Sequence, residues 1–438
     1  MKDVIRQKIV DSLAMAPPPL TRRQVHVPRV PGKALAVIGP RRAGKTTFLW
    51  QLLADQLADK TSRENLLYFN FEDERLAGMT AQDIGLVAEE YYRLHPEIRD
   101  QQRAVFYLDE IQVVPGWEKF TRRLLDTEKV DLVLSGSSAQ LLSREIATSM
   151  RGRAMEALVL PFSFREFLRH RQAEPSSTLD RLTKAKRSAI DKELRQYLID
   201  GGYPETQGVD LRDRFELLRS YTDTALLRDV IERHKVSNPV ALRWMMRQLL
   251  GNACGLFSIH KFHSDLRSQG IPVAKDTLHA YLLHLEDAFL IRTLAIATDS
   301  ERRRMVNPRK VYPIDPGLIA IFDRSGKANA GHALETVVAL ELLRRGAEIA
   351  YVRTARDLEV DFLARYPDGT QALLQVCMDL DQPETINRET RALLAAAEEN
   401  PQASLHLVTA TPETPQNWPP NITLHAAATW LLNDYKTE

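Results

Sequence analysis

Residues 34–46 read ALAVIGPRRAGKT, and the order of residue types in this stretch decides the fold. The run 34–38 is short, apolar and bounded by glycine and proline, the pattern of a buried strand. Gly39-Pro40-Arg41-Arg42-Ala43-Gly44-Lys45-Thr46 follows, a glycine, four residues, then Gly-Lys-Thr. Residues 46–57 then carry apolar side chains at helical spacing. A phosphate group needs a loop whose backbone N–H groups all point inward, and glycine permits the angles and the close approach. The helix that starts near Lys45 adds free N–H groups and a positive dipole end. Lys45 is expected to reach the β- and γ-phosphates of a nucleoside triphosphate, and the Thr46 hydroxyl to hold Mg²⁺. The expected nucleotide-binding set is Gly39, Pro40, Arg41, Arg42, Ala43, Gly44, Lys45, Thr46 and Thr47. Four fixed positions also arise by chance, but chance does not supply the strand before them and the helix after.

The rest of such a site is an apolar strand that ends in acid. Val105-Phe106-Tyr107-Leu108-Asp109-Glu110 has that form. Asp109 is expected to bind Mg²⁺ through water and Glu110 to polarise the attacking water. On its own the hexapeptide is more commonly a strand meeting solvent; the upstream loop favours function. A third strand, 131–134, runs into Ser135, which could contact the γ-phosphate or the water, or be a plain polar strand end. Arg151 and Arg153 flank Gly152, and either is a candidate to stabilise the transferred phosphoryl group across a subunit boundary. Strands alternating with helices imply a parallel sheet with helices on both faces.

Bulk properties bound the remaining possibilities. The chain has 438 residues, net charge +1, 44% hydrophobic and 27% charged residues, which is ordinary globular composition. At roughly 150 residues per domain this allows several domains. Near-neutrality gives no general case for nucleic acid or a membrane surface, so such a case rests on local patches. Cys254 and Cys377, the two cysteines, are far apart and make neither a disulfide framework nor a zinc pattern. The N-terminus carries charges throughout and makes a poor signal peptide, and no run of about 18 apolar residues occurs. A cytoplasmic protein without membrane contact is the expectation.

Several motifs taken together resemble a family. GPRRAGKTT, YFNFEDERL, FYLDEIQVVPGWE, LVLSGSSAQLLS, RGRAMEALVLPFSFREFL and LIDGGYPE are similar to the bacterial and archaeal AAA-type P-loop ATPases that carry a C-terminal DUF4143 domain. The resemblance runs over nearly the whole chain. It implies an extra strand between the phosphate-loop strand and the acidic strand, a helical lid, and ATP hydrolysis with Lys45, Thr46, Asp109 and Glu110 in the roles above.

The C-terminal half divides further. Residues 164–250 read as helices with charged faces. Residues 258–291 read as helices around the turn Gln269-Gly270-Ile271-Pro272, one of them carrying Leu278, Tyr281, Leu282, Leu285 and Phe289 on a single face. A basic hairpin over 301–310, with Arg302, Arg303, Arg304, Arg309 and Lys310, would complete a winged helix-turn-helix able to contact DNA or RNA; packing or subunit contact is the alternative use. Beyond it, Glu335 on a helix (332–343), Asp361 on a strand (358–363), and Gln375 with Cys377 on the next strand resemble the PD-(D/E)xK nuclease core. Glu335, Asp361 and Gln375 are then a second candidate Mg²⁺ site. The pattern departs where lysine is expected, because Cys377 stands there, and where glutamate is expected, because Gln375 does. A thiol carries no positive charge to steady an attacking hydroxide, so cleavage requires another cation, such as Arg353, in that role.

The expected architecture is α/β: a P-loop core (1–163), a helical lid (164–250), a winged helix (251–325) and a nuclease-like domain (326–438). ATP and Mg²⁺ are the expected ligands and a homo-oligomer an expected assembly. Function divides between an ATPase that drives a nucleic-acid-handling, nuclease-like domain and an ATP-controlled switch or scaffold that acts on a protein partner.

Overall fold

Strand β1 (Ala34–Ile38) is buried at all but one position, and it pairs in parallel with a neighbour on each side, β4 (Val130–Ser135) and β5 (Ala154–Leu158). β3 (Ala104–Asp109), buried at every position, pairs with β4, and β2 (Leu66–Asn70) with β3. The order is β2-β3-β4-β1-β5, all parallel. The extra strand implied by the resemblance is therefore β4, which separates the loop-bearing β1 from the acidic β3. Continuous apolar strands of this kind are what a parallel sheet covered on its faces requires. Helix Lys45–Ala58 packs Phe48, Leu49 and Leu53 against Val37, Val105, Tyr107 and Val133 of the sheet.

These elements belong to the first of two compact units, Met1–Leu160 and Pro161–Glu438, of a computed structural model that describes residues 1–136, 150, 152–176, 182–323, 330–411, 413, 415 and 418–433. Arg151, Ser137 and Ser138 lie outside the described residues. Among those described, no helix is long and apolar enough to cross a membrane.

The second unit opens with helices Phe164–His170, Lys184–Asp200 and Leu211–Thr224, the last continuing as a π-helix over Ala225–Glu232. A three-stranded antiparallel sheet of order β6-β8-β7 follows, with β6 (Leu256–Phe257), β7 (Ile291–Leu294) and β8 (Arg309–Pro313). Helices Pro239–Gly251, Ile259–Ser268 and Lys275–Asp287 pack beside it through Leu242, Phe262, Leu278, Leu282 and Val311. Leu278, Tyr281, Leu282 and Leu285 are buried as their spacing requires, whereas Phe289 lies past the helix end in a left-handed conformation. The basic hairpin over 301–310 does not form. Glu301–Val306 is a short helix capped by Ser300, and Arg309–Lys310 open β8. A Ser cap followed by Glu and three arginines favours one helical turn over a strand end.

The last sheet has order β13-β12-β11-β10-β9, with β9 (Glu348–Arg353), β10 (Glu359–Arg365) and β11 (Gln371–Cys377) antiparallel. β11, β12 (Ala403–Thr409) and β13 (Ile422–Ala426) are parallel. Helix Ala330–Arg344 packs Leu334, Val337 and Val338 with Phe362, Leu374 and Val408. Helix Pro383–Glu399 packs Leu393 and Ala396 with Leu363, Leu373 and Leu407, the alternate residues of the same strands. Strand alternation thus gives each face its own helix.

The LIDGGYPE segment is explained by one buried carboxylate. Asp315, 1% exposed, accepts hydrogen bonds from the N–H groups of Gly202 (2.6 Å) and Gly317 (2.9 Å). A Cβ at Gly201 would lie 1.9 Å from the Asp315 Oδ1, so glycine is required there. Burial pushes the Asp315 carboxyl from 3.8 up to about 7, against the pull of the two backbone donors. The folded chain therefore binds this proton more tightly than the unfolded one. The proton favours the fold fully below about pH 4, and that contribution is lost as pH rises through about 7, a difference on the order of a few kcal/mol. We expect the melting temperature to rise between pH 8 and pH 5.5, and Asp315→Asn to flatten that rise; thermal denaturation followed by circular dichroism at both pH values measures it.

Candidate phosphate and metal site

The phosphate loop lies between the end of β1 and the start of helix Lys45–Ala58. Gly39 has φ of +151°, and a Cβ there would lie 2.0 Å from the Val159 carbonyl oxygen, so no other residue fits. Lys45 is buried, with Nζ donating to the carbonyls of Gly39 (3.1 Å) and Pro40 (2.9 Å). The ammonium thus lies over its own loop, and the helix N-terminus begins at the same residue. Pro40, Arg41, Arg42, Ala43 and Gly44 complete the loop, and Thr46 and Thr47 follow Lys45 in the first helical turn.

Asp109 is the hub of the site. It is 0% exposed, and four donors converge on it from three elements. Thr46 Oγ1 (2.9 Å), Tyr68 OH (2.7 Å) and Asn70 Nδ2 (3.3 Å) reach Oδ2, and the Ser135 hydroxyl donates to Oδ1. A buried carboxylate needs such partners, because its desolvation costs several kcal/mol otherwise. Burial and then Asp109 raise the Tyr68 phenol far above its ordinary value, so it stays a donor. The Thr46 hydroxyl and the Asp109 carboxylate are two hard oxygen donors 2.9 Å apart, a pair that fits Mg²⁺.

Glu110 continues from β3 in a left-handed conformation (φ +51°) that a non-glycine residue seldom adopts. Its N–H donates to Ser135 Oγ (3.2 Å) and its carboxylate accepts from the Gln112 amide. Burial raises the carboxyl, and Lys45 and Gln112 partly offset this. A carboxylate with a raised proton affinity beside the phosphate loop is suited to accept a proton from water. Ser135 brackets the two acids, accepting from one and donating to the other.

Arg153 lies elsewhere in its own chain. It precedes β5, whose register with β1 pairs Ala34 with Ala154 and Ile38 with Leu158. The loop follows Ile38, so Arg153 lies at the opposite end of the sheet, about 16 Å away at about 3.3 Å per residue. It pairs with Asp126 and lines a groove of about 410 Å³ with Lys119, Arg122 and Arg123.

In the second unit, Glu335 and Asp361 converge, but on Lys310. Its Nζ lies 2.8 Å from Glu335 and 2.7 Å from Asp361, and Glu359 is a third partner at 3.0 Å. Burial alone would lower the Lys310 ammonium, but Asp361, Glu335 and Glu359 raise it. Burial, then Asp361, pushes the Glu335 carboxyl up, while Lys310 and Tyr312 oppose that. Gln375 lies beside Asp361, its Oε1 3.2 Å from the Asp361 N–H. Arg353 is not in this cluster; it is an exposed partner of Asp357. Expected as a surface cation of the hairpin, Lys310 is 3% exposed. The adjacent Arg309 hid it in an apparently basic run, although strand alternation puts consecutive residues on opposite faces.

Sequence reasoning also missed Arg23, in the basic stretch before β1. It is 7% exposed; its guanidinium donates to the Ala43 carbonyl of the loop (2.7 Å) and to that of Leu160. Gln51 of the following helix holds the Arg23 backbone through both its N–H (2.7 Å) and its carbonyl (3.1 Å). Nothing in the local pattern marks a brace that is twenty residues distant.

Comparison with known proteins finds matches over most of the chain. The AAA domain model matches residues 31–168, and a domain of unknown function, DUF8612, matches 191–327. The latter stands where the resemblance implied DUF4143. An uncharacterized protein of Methanocaldococcus jannaschii is 32% identical over 397 residues, covering 89% of this chain and 85% of its own length. An uncharacterized protein of Haemophilus influenzae is 31% identical over 359 residues, covering 82% and 85%. The N-terminal part is an AAA-type ATPase domain, and the chain belongs to the family of these relatives. A Walker-type ATPase of Pyrococcus abyssi aligns at 15% identity over 74% of this chain and 95% of that one, with a TM-score of 0.44.

Replacing Arg23 with alanine leaves two buried carbonyls without their charged donor. At about 1.5 kcal/mol or more for each such bond, the loss is about 3 kcal/mol. We expect urea denaturation of Arg23→Ala to show that loss and nucleotide affinity to fall with it.

Proposed function

We propose that the chain hydrolyses ATP at the loop of residues 39–47 and uses the nucleotide state to control a nucleic-acid contact made by its second unit. The observation that carries the hydrolytic reading is the Thr46–Asp109 pair, 2.9 Å apart beside the buried Lys45 ammonium. Loop N–H groups and Lys45 would bind the phosphates, and Thr46 and Asp109 would hold Mg²⁺, which would supply positive charge to offset that on the phosphate oxygens. Glu110 takes a proton from the attacking water. Ser135 keeps Glu110 and Asp109 in register, with the γ-phosphate as a further contact.

Arg153 is proposed to act in trans, as a cation for a neighbouring copy's nucleotide in a homo-oligomer. Its position about 16 Å from its own loop leaves it no role there, and Lys119, Arg122 and Arg123 beside it suit an anionic partner. Arg151 shares this proposal on sequence alone. The helical stretch 164–250 is read as a lid whose arrangement differs between nucleotide states; ATP shifts that balance only through unequal binding to the two.

A winged-helix reading of 251–325 is supported by the order helix, strand, helix, helix, strand, short helix, strand, and by exposed Arg302 and Arg303 on the short helix that connects β7 to β8. DNA or RNA phosphates are the proposed ligands. The nuclease-like reading of 326–438 is supported by the placement of Glu335, Asp361 and Gln375, but the position of Lys310 favours a non-cleaving use. That same observation favours the second reading, an ATP-controlled switch acting on a protein partner.

Lys45→Ala is expected to abolish Mg²⁺-dependent ATP binding in equilibrium dialysis. Glu110→Gln is expected to keep binding and lower hydrolysis by about 10²–10⁴-fold. Retention of full turnover by Glu110→Gln refutes its assigned role. For the nucleic-acid reading, DNA or RNA is expected to stimulate hydrolysis, and the Arg302→Ala, Arg303→Ala, Arg304→Ala triple variant to lose the stimulation while keeping basal turnover. No stimulation by any form at low salt sends the choice to the protein-partner reading.

A further inference from the structure

The PD-(D/E)xK resemblance implies a divalent metal at Glu335, Asp361 and Gln375, and the residues present do not fit one. Lys310 Nζ already lies 2.7–3.0 Å from Asp361, Glu335 and Glu359. An ammonium has three N–H donors, and three carboxylates meet it, so its hydrogen-bonding capacity is matched. A divalent ion bound to the same oxygens at about 2.0–2.6 Å would occupy the volume that Nζ fills, and two cations there would repel strongly.

The remaining donors are committed as well. The second Asp361 oxygen accepts from the Val376 N–H (2.9 Å) and Glu335 accepts from Tyr312 OH (2.8 Å). Gln375 accepts from the Asp361 N–H at one end and donates to Glu389 (2.6 Å) at the other, so its amide oxygen is not turned toward a metal. The register of β10 against β9 shifts between Val360 and Leu363, and such an irregularity re-aims the side chain it carries, here Asp361.

The geometry points to the Lys310 ammonium as the resident cation of this cluster, standing where a divalent metal would bind. The carboxylates come from helix Ala330–Arg344 and β10, and the lysine from β8. The cluster is thus an electrostatic rivet between the three-stranded sheet and the C-terminal sheet. It also conceals a latent site: removing the ammonium leaves Glu335, Glu359 and Asp361 around one vacated point, with the chemistry of a hard divalent-cation site. The inference uses no nucleotide, so it stands or falls separately from the ATPase reading.

The test is Mn²⁺ titration of the full, nucleotide-free chain by electron paramagnetic resonance. Glu359, the most exposed of the three acids, serves as reporter through Glu359→Gln. In the chain that keeps Lys310, Glu359→Gln is expected to leave Mn²⁺ binding unchanged. Lys310→Met is expected to add one bound equivalent, lost again on adding Glu359→Gln, while Lys310→Arg adds none. Should Lys310→Met melt at lower temperature, Mn²⁺ is expected to raise that melting point. Mn²⁺ binding that depends on Glu359 while Lys310 is present overturns the proposal, and so does a Lys310→Met chain whose binding and melting ignore Mn²⁺.

Discussion

The first unit is organised around a carboxylate that water does not reach. Asp109 ends the most buried strand of the sheet, and its charge is tolerable only because hydroxyls and an amide from β2, β4 and the loop helix surround it. Removing any one donor leaves part of that charge unsatisfied, so these elements hold each other in register through one residue. The same bonds set the distance between Thr46 and Asp109, and hence the geometry open to a metal. Strand order matters here: with β4 inserted between β1 and β3, Ser135 ends the strand between the loop and the acids, where it can touch both Asp109 and Glu110.

The second unit uses buried charge differently. Asp315 is satisfied by backbone N–H groups alone, and its neighbour must be glycine because a carboxylate oxygen occupies the Cβ position. Lys310 is satisfied by carboxylates alone. Both are places where polar groups fix how separate helices and strands meet, a task that apolar packing performs with less directional precision. In the proposed reading the first unit takes its cation from solution, whereas the second supplies its own.

Legibility in the sequence followed the range of the interaction. The phosphate loop, the acidic strand and the alternation of strands and helices are local patterns, and the structure has them with shifts of a few residues. Glu335, Asp361 and Gln375 are singled out by the resemblance to the nuclease core; Glu335 and Asp361 meet on Lys310, with Gln375 beside Asp361. What escaped was set by long-range contact. Arg23 reaches Ala43 and Leu160, Tyr68 and Asn70 reach Asp109, and Lys310 reaches Asp361, and none of these pairs shares a local repeat. The hairpin over 301–310 failed for a nearer reason: arginine-rich sequence is compatible with a capped helical turn, and charge alone does not choose between the two.

A parallel sheet has two unlike ends, and in this chain they differ in kind: a phosphate loop at one and a groove lined by Lys119, Arg122, Arg123 and Arg153 at the other. A contact that joins one end to the other in a second copy is heterologous, and a two-fold axis cannot generate it. Copies related in this way continue around a ring until it closes, or advance as an open helix if it does not. Any nucleotide bound along such a series would be completed from the next copy, which leaves the terminal copy of an open series with a half-built site.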